Sequence, residues 1–155
     1  MFIWKRAQIL VAETWAAFYP PQNPLPPTVH PLFPGPIGAA IHQLTMFADY
    51  RVPQILHHLR VLTYPPTLVR MLRQGTPLES GSLEEVSIRT ASVVAVERIT
   101  EEMRSIAGKG EEVCSVLIDF YLWDLSKRVE DGEEMIEGIE TEEIVPVHRT
   151  RSIWY

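Results

Sequence analysis

The stretch YPPQNPLPPTVHPLFPGPIG, residues 19–38, holds eight of the chain's 13 prolines and limits what can form on either side of it. Each proline lacks a backbone donor and pushes its predecessor out of the helical region, so neither a helix nor an inner strand survives there. An extended surface connection is expected, of the kind that accepts insertions. Before it, residues 3–18 carry apolar side chains at helical spacing. Ile3, Ala7, Leu10, Val11, Thr14, Trp15 and Phe18 are expected to line one broad face of a helix.

After the proline-rich segment a helical stretch is expected to resume near Leu44. Pro53 suits the first turn of a helix, where its missing N–H costs nothing, so VPQILHHLRVL reads as a helix ending before Pro65 and Pro66. TLVRMLRQ makes a short helix stopped at Gly75. Ser82 followed by Glu85 spells a capping box that opens the long run EEVSIRTASVVAVERITEEMRSIA, closed by Gly108 and Gly110. A last long helix is expected from about Glu111 to Val129. The acidic stretch EDGEEMIEGIETEE is then a solvated loop or a frayed helix, and VPVHRTRSIWY a short tail. No segment alternates strongly, and SVVAV, though β-prone, sits inside a helical pattern. The expected fold class is all-α, one helical domain with enough length to bury a core.

A net charge of −6, with Lys and Arg scattered along the chain, argues against a direct nucleic-acid surface. The single cysteine, Cys114, excludes an internal disulfide and fits a reducing, intracellular and cytoplasmic setting. No apolar run approaches the ~20 residues a membrane helix needs. Glu13 interrupts the N-terminal apolar run, which therefore reads as a core helix and not a signal peptide.

Two segments combine carboxylates with aromatics. In Phe47-Ala48-Asp49-Tyr50-Arg51, ahead of Pro53, side chains can converge on a ligand; equally, Asp49 can cap the next helix while Phe47 packs in the core. The second segment is Asp119-Phe120-Tyr121-Leu122-Trp123-Asp124. Residues five apart on a helix are rotated by about 140°, so Asp119 and Asp124 do not share a stripe. A carboxylate on a buried helix is costly unless paired or used. Asp124 either serves a site or meets Arg128 at the surface. His57 and His58 are adjacent and cannot chelate together, and His30, His42 and His148 lack ligand spacing, so no metal is expected. GKG at 108–110 is not a phosphate loop, and no nucleophile-elbow sequence occurs. No cofactor is expected.

KRAQILVAETW, LTMFADYRVPQIL, EEVSIRTASVVAVERI, SVLIDFYLWDLSK and VHRTRSIWY, in this order, resemble successive blocks of the queuosine salvage protein family. The match runs nearly end to end apart from the proline-rich segment, which resembles an insertion of the kind seen in fungal members. The chain is similar to the C-terminal half of those longer proteins. The resemblance implies an all-helical fold like that of DNA glycosylases. It also implies hydrolysis of the N-glycosidic bond of queuosine 5′-phosphate, a small-molecule substrate, to release queuine for tRNA modification.

The resemblance also implies site residues. Breaking a ribosyl C–N bond builds an oxocarbenium-like cation that a carboxylate can stabilise. Queuine is a 7-deazapurine without an N7 to protonate, which shifts the demand to the sugar cation, and Asp124 is the expected catalytic carboxylate. Asp49 would take the guanine-like edge, Phe47 would stack on the base, and Asp119 would bind the base or its aminomethyl arm. Arg51, Arg89, His148 and Arg149 are candidates for the phosphate. In the family, a histidine and other residues of the N-terminal half complete the pocket. The alternative expectation is a shortened, catalytically silent homologue that self-associates through the face left by that half, with Ile3, Trp4 and Trp15 at the interface.

Overall fold

The computed structural model describes residues 4–18, 30–33, 40–108, 113–132 and 138–152. Ile3, Gly110, the end of the tail and all of the proline-rich segment except 30–33 lie outside the described residues. Among the described residues five helices follow one another, α1 (Lys5–Ala17), α2 (Arg51–His58), α3 (Pro66–Arg73), α4 (Leu83–Ile106) and α5 (Ser115–Glu130), with a 3-10 turn at Ile41–Gln43. Among the described residues the fold is all-α, as expected, and no helix is long and apolar enough to cross a membrane.

The centre is built by α2, α4 and α5. Val52, Ile55 and Leu56 of α2 pack on Ala95 and Val96 of α4 and on Ile118, Leu122 and Leu125 of α5. With eight residues, α2 is too short to hold its helix by propensity, and burial of Val52–His57 sustains it. Each fully buried large aliphatic contributes about 1.5–3 kcal/mol. The polar Gln54 is satisfied in this core: its amide donates to the Val145 carbonyl (2.8 Å) and accepts from the Ser126 hydroxyl (2.9 Å).

Several boundaries differ from the expected ones. No helix resumes at Leu44; residues 44–49 run extended from the 3-10 turn to α2. Side chains of an extended segment alternate in direction. Met46 and Ala48 accordingly enter the central core, while Phe47 joins a second cluster with Ala12, Ile41, Cys114 and Val116. The α2 helix ends at His58, not at Leu62, because Arg60 adopts the left-handed region at φ 60°. The last helix starts at Ser115 rather than Glu111. The expected start of α4 is present: the Ser82 hydroxyl accepts from the Glu85 N–H (3.3 Å) and the Glu85 carboxylate reaches back to the Gly81 N–H (3.1 Å).

The face of α1 is also rotated from expectation. Leu10 and Phe18 are exposed, while Lys5 and Ala12 are buried, with Ile9, Val11 and Trp15 packed beside them. Lys5 lies on the inward side, where the charges of Asp49 and Asp119 act on it. Residues 140–152 form no helix or strand and cross α2 and α3. Glu142 donates its N–H to the His58 carbonyl, the Leu78 N–H donates to Arg149, and Val145 is buried against Leu68, Leu72, Leu78 and Ile88.

Candidate active site: a buried carboxylate pair

The extended segment 44–49 aims two carboxylates at one place. Asp119, on the inner face of α5, accepts the Phe47 N–H through Oδ1 at 3.0 Å. Asp49 accepts from the N–H groups of Arg51 (3.0 Å) and Val52 (2.9 Å), satisfying donors at the open start of α2. Asp49 is therefore the cap that one reading of the sequence allowed. The same residue is only 7 % exposed, and Asp119 only 4 %. The Lys5 ammonium, at the first turn of α1, acts on both carboxylates.

Burial pushes the Asp119 carboxyl up to about 7, and the negative charge of Asp49 adds to the rise; the Phe47 N–H and Lys5 oppose it. Burial also raises Asp49, but the Val52 N–H, Lys5 and the Arg51 N–H and side chain hold it back. Burial lowers Lys5, which Asp49 and Asp119 counter while Arg89 and Arg6 add to the lowering. Burial lifts both carboxyls, and Lys5 supplies one positive charge against two carboxylates, so the Asp49 charge adds to the rise that burial gives Asp119.

Three more ionisable groups border the pair. Glu85 and Arg89 form a buried ion pair along α4, Arg89 Nη1 to Glu85 Oε1 at 2.8 Å, and Arg89 Nε donates to the Ala48 carbonyl at 3.2 Å. His148 is buried beside them. Burial lowers its imidazole to about 4, with Glu85 opposing and Arg89 and Lys5 adding to the drop, so the ring is neutral.

The expected site residues divide. Asp49 and Asp119 come together. Asp124 does not join them: its side chain is 61 % exposed and meets Arg128 Nε at 3.1 Å across one helical turn. The five-residue spacing that puts Asp119 inside puts Asp124 outside. Phe47 is packed in the core, its ring 6.0 Å from that of Phe120, and its backbone N–H is what it brings to the pair. Among the phosphate candidates, Arg51 pairs with Glu130 and Arg89 with Glu85, while Arg149 is exposed. Lys5 was missed. It lies seven residues, two turns, before the buried Ala12, and no apolar periodicity in residues 3–18 marked it.

No group of three metal-binding side chains gathers among the described residues. A hollow of about 510 Å³ opens beside α1 and α5, lined by Trp15, His42, Arg104 and Leu117 among others, but neither Asp49 nor Asp119 lines it. The chemistry is concentrated at the pair and not at that hollow.

This arrangement coincides with a family resemblance over the whole chain. The model of a family described as queuosine salvage protein matches residues 1–155. A protein of Mus musculus named queuosine 5′-phosphate N-glycosylase/hydrolase is 40% identical over 156 residues, 98% of this chain and 40% of the relative. Proteins of the same name from Sphaerobacter thermophilus and Schizosaccharomyces pombe are each 36% identical over 154 residues, covering 98% and 99% of this chain and 39% and 40% of the relatives. The chain thus spans about 40% of the length of the curated relatives it matches. With Lys5, Asp49 and Asp119 all inside the matched residues, the chain belongs to the queuosine salvage protein family.

Proposed function

We propose that this chain carries the reacting centre of an N-glycosidase that hydrolyses queuosine 5′-phosphate and releases queuine for salvage into tRNA. The observation that carries the reading is the burial of Asp49 and Asp119 within reach of Lys5, where burial raises both carboxyls and brings Asp119 to about 7. In this reading the chain corresponds to the C-terminal half of the longer relatives, with residues 19–38 as an insertion, working in the cytoplasm.

The chemistry needs one carboxyl ionised and the other protonated. The glycosidic C–N bond breaks with its electron pair leaving on the base nitrogen, and positive charge spreads over C1′ and the ring oxygen. Asp49, whose ionised form Lys5 and two N–H groups favour against the effect of burial, stabilises that charge in a site shielded from water. Asp119, protonated below about 7, gives its proton to the departing base. Water then adds to C1′, and its proton returns to the Asp119 carboxylate, restoring the starting state. Asp49 and Asp119 thereby take the role expected of Asp124, whose solvated surface pair with Arg128 gives it little electrostatic leverage.

The test incubates the protein with queuosine 5′-phosphate and detects queuine by mass spectrometry. Release by the parent and by Asp124→Ala, with a loss of about 10²–10³-fold in Asp49→Asn, is the expected result. No release from folded parent, or loss on Asp124→Ala with Asp49→Asn unaffected, would contradict it. A second reading draws on α1, which exposes Trp4, Leu10 and Phe18. That face suits self-association, and a mass that rises with concentration while queuine release stays absent would favour it.

A further inference from the structure

The mechanism leaves the Glu85–Arg89 pair unused, although both side chains are buried. Burying an ion pair is seldom a route to stability, since apolar replacements of similar volume are often neutral or better. The pair's position suggests another purpose. It forms one end of a chain of contacts running from the Gly81 N–H to Glu85 Oε2, from Glu85 Oε1 to Arg89 Nη1, and from Arg89 Nε to the Ala48 carbonyl. Ala48 is the middle residue of the tripeptide that aims both carboxylates. Its predecessor, Phe47, donates its N–H to Asp119, and its successor is Asp49 itself.

We infer that Arg89, held by Glu85, is a positioning residue for the Asp49–Asp119 pair and acts through the Ala48 carbonyl. The tripeptide 47–49 lies in an extended segment with no helix of its own to fix it. It is fastened at Phe47 from α5, through Asp119, and at Ala48 from α4, through Arg89. Asp49 is also held by the Arg51 and Val52 N–H groups, so removing the Ala48 fastening shifts the peptide planes between two fixed ends and moves the carboxylates apart. Glu85 is itself anchored at the capped start of α4, so the brace leads back to the fixed end of a 24-residue helix. This inference rests on the reading of the pair as the reacting centre.

The charges acting on Asp119 are those of Asp49 and Lys5, together with the Phe47 N–H. Arg89 acts on Lys5, so a change in Asp119 titration in Arg89→Lys, which keeps the positive charge, reports movement of the tripeptide rather than loss of the guanidinium field. The experiment follows the Asp119 carboxyl by carbon NMR against pH in the parent, in Arg89→Lys and in the double variant Glu85→Gln/Arg89→Met. The double variant removes the pair without stranding either charge. Queuine affinity is measured by calorimetry on the same proteins.

The expected result is a midpoint near 7 in the parent, falling by a unit or more in either folded variant as the carboxylates part, with queuine binding weakened tenfold or more. An unchanged Asp119 midpoint in whichever variant folds, or a parent that already titrates as an ordinary aspartate, overturns the inference. The titration needs no substrate. A parent that fails to bind queuine while its variants still shift Asp119 would therefore contradict the functional reading and leave the positioning role standing.

Discussion

Replacing Asp119 by asparagine should stabilise the protein, and more so as the pH rises. The buried carboxyl holds its proton up to about 7, against 3.8 for an ordinary aspartate. Between those values the unfolded chain releases a proton that the folded protein keeps, so rising pH favours unfolding. The cost is absent below about 4 and complete above about 7. A gap of about three pH units corresponds to roughly 4 kcal/mol at ~1.36 kcal/mol per unit. Asp49 and Lys5 readjust once the charge is gone, so a net gain on the order of 2 kcal/mol is expected at pH 8. Asparagine keeps an acceptor oxygen for the Phe47 N–H, so the 3.0 Å hydrogen bond survives. For a chain of this size the melting temperature should rise by ~4–8 °C at pH 8, with a much smaller difference at pH 5. Thermal unfolding of parent and variant at four pH values from 5 to 8 measures it. A variant less stable than the parent at pH 8 would refute the reasoning, because it would mean that Lys5 and the Phe47 N–H stabilise the ionised Asp119 by more than its burial costs.

Queuine release should fall as pH rises through about 7, because the proton that Asp119 gives to the base is lost; a pH–rate profile checks it. Lys5→Met should raise the titration midpoints of both Asp49 and Asp119, since the ammonium lowers each, and carboxyl NMR reads both at once. Ser82→Ala removes the side-chain cap of α4 and should cost about 1 kcal/mol, seen as a melting temperature lower by ~2–4 °C.

The parts of this fold that were legible beforehand are those in which local chemistry decides. Ser82 with Glu85 names the start of α4, Gly75 at φ +67° ends the turn after α3, and the lack of alternation excludes a sheet. The segment 44–49 misled because its alternation, Met46 and Ala48 one way and Phe47 the other, spans too few residues to stand out from a helical pattern. Tertiary contact likewise set the rotation of α1: Lys5 lies on the inward side, where the charges of Asp49 and Asp119 act on it, which no periodicity within residues 3–18 encodes. For the site, helix geometry was enough to separate Asp119 from Asp124. It could not say which of the two faced inward, since that depends on how α5 packs against α2 and α4.

The most direct test of the central claim is a crystal structure of the protein with queuine bound. The account predicts base atoms within hydrogen-bond distance of the Asp119 carboxyl, with Asp49 on the side of the base where the ribose attaches. Queuine seated instead on the outer face of α5, beside Asp124 and Arg128 and away from both buried carboxylates, would contradict it.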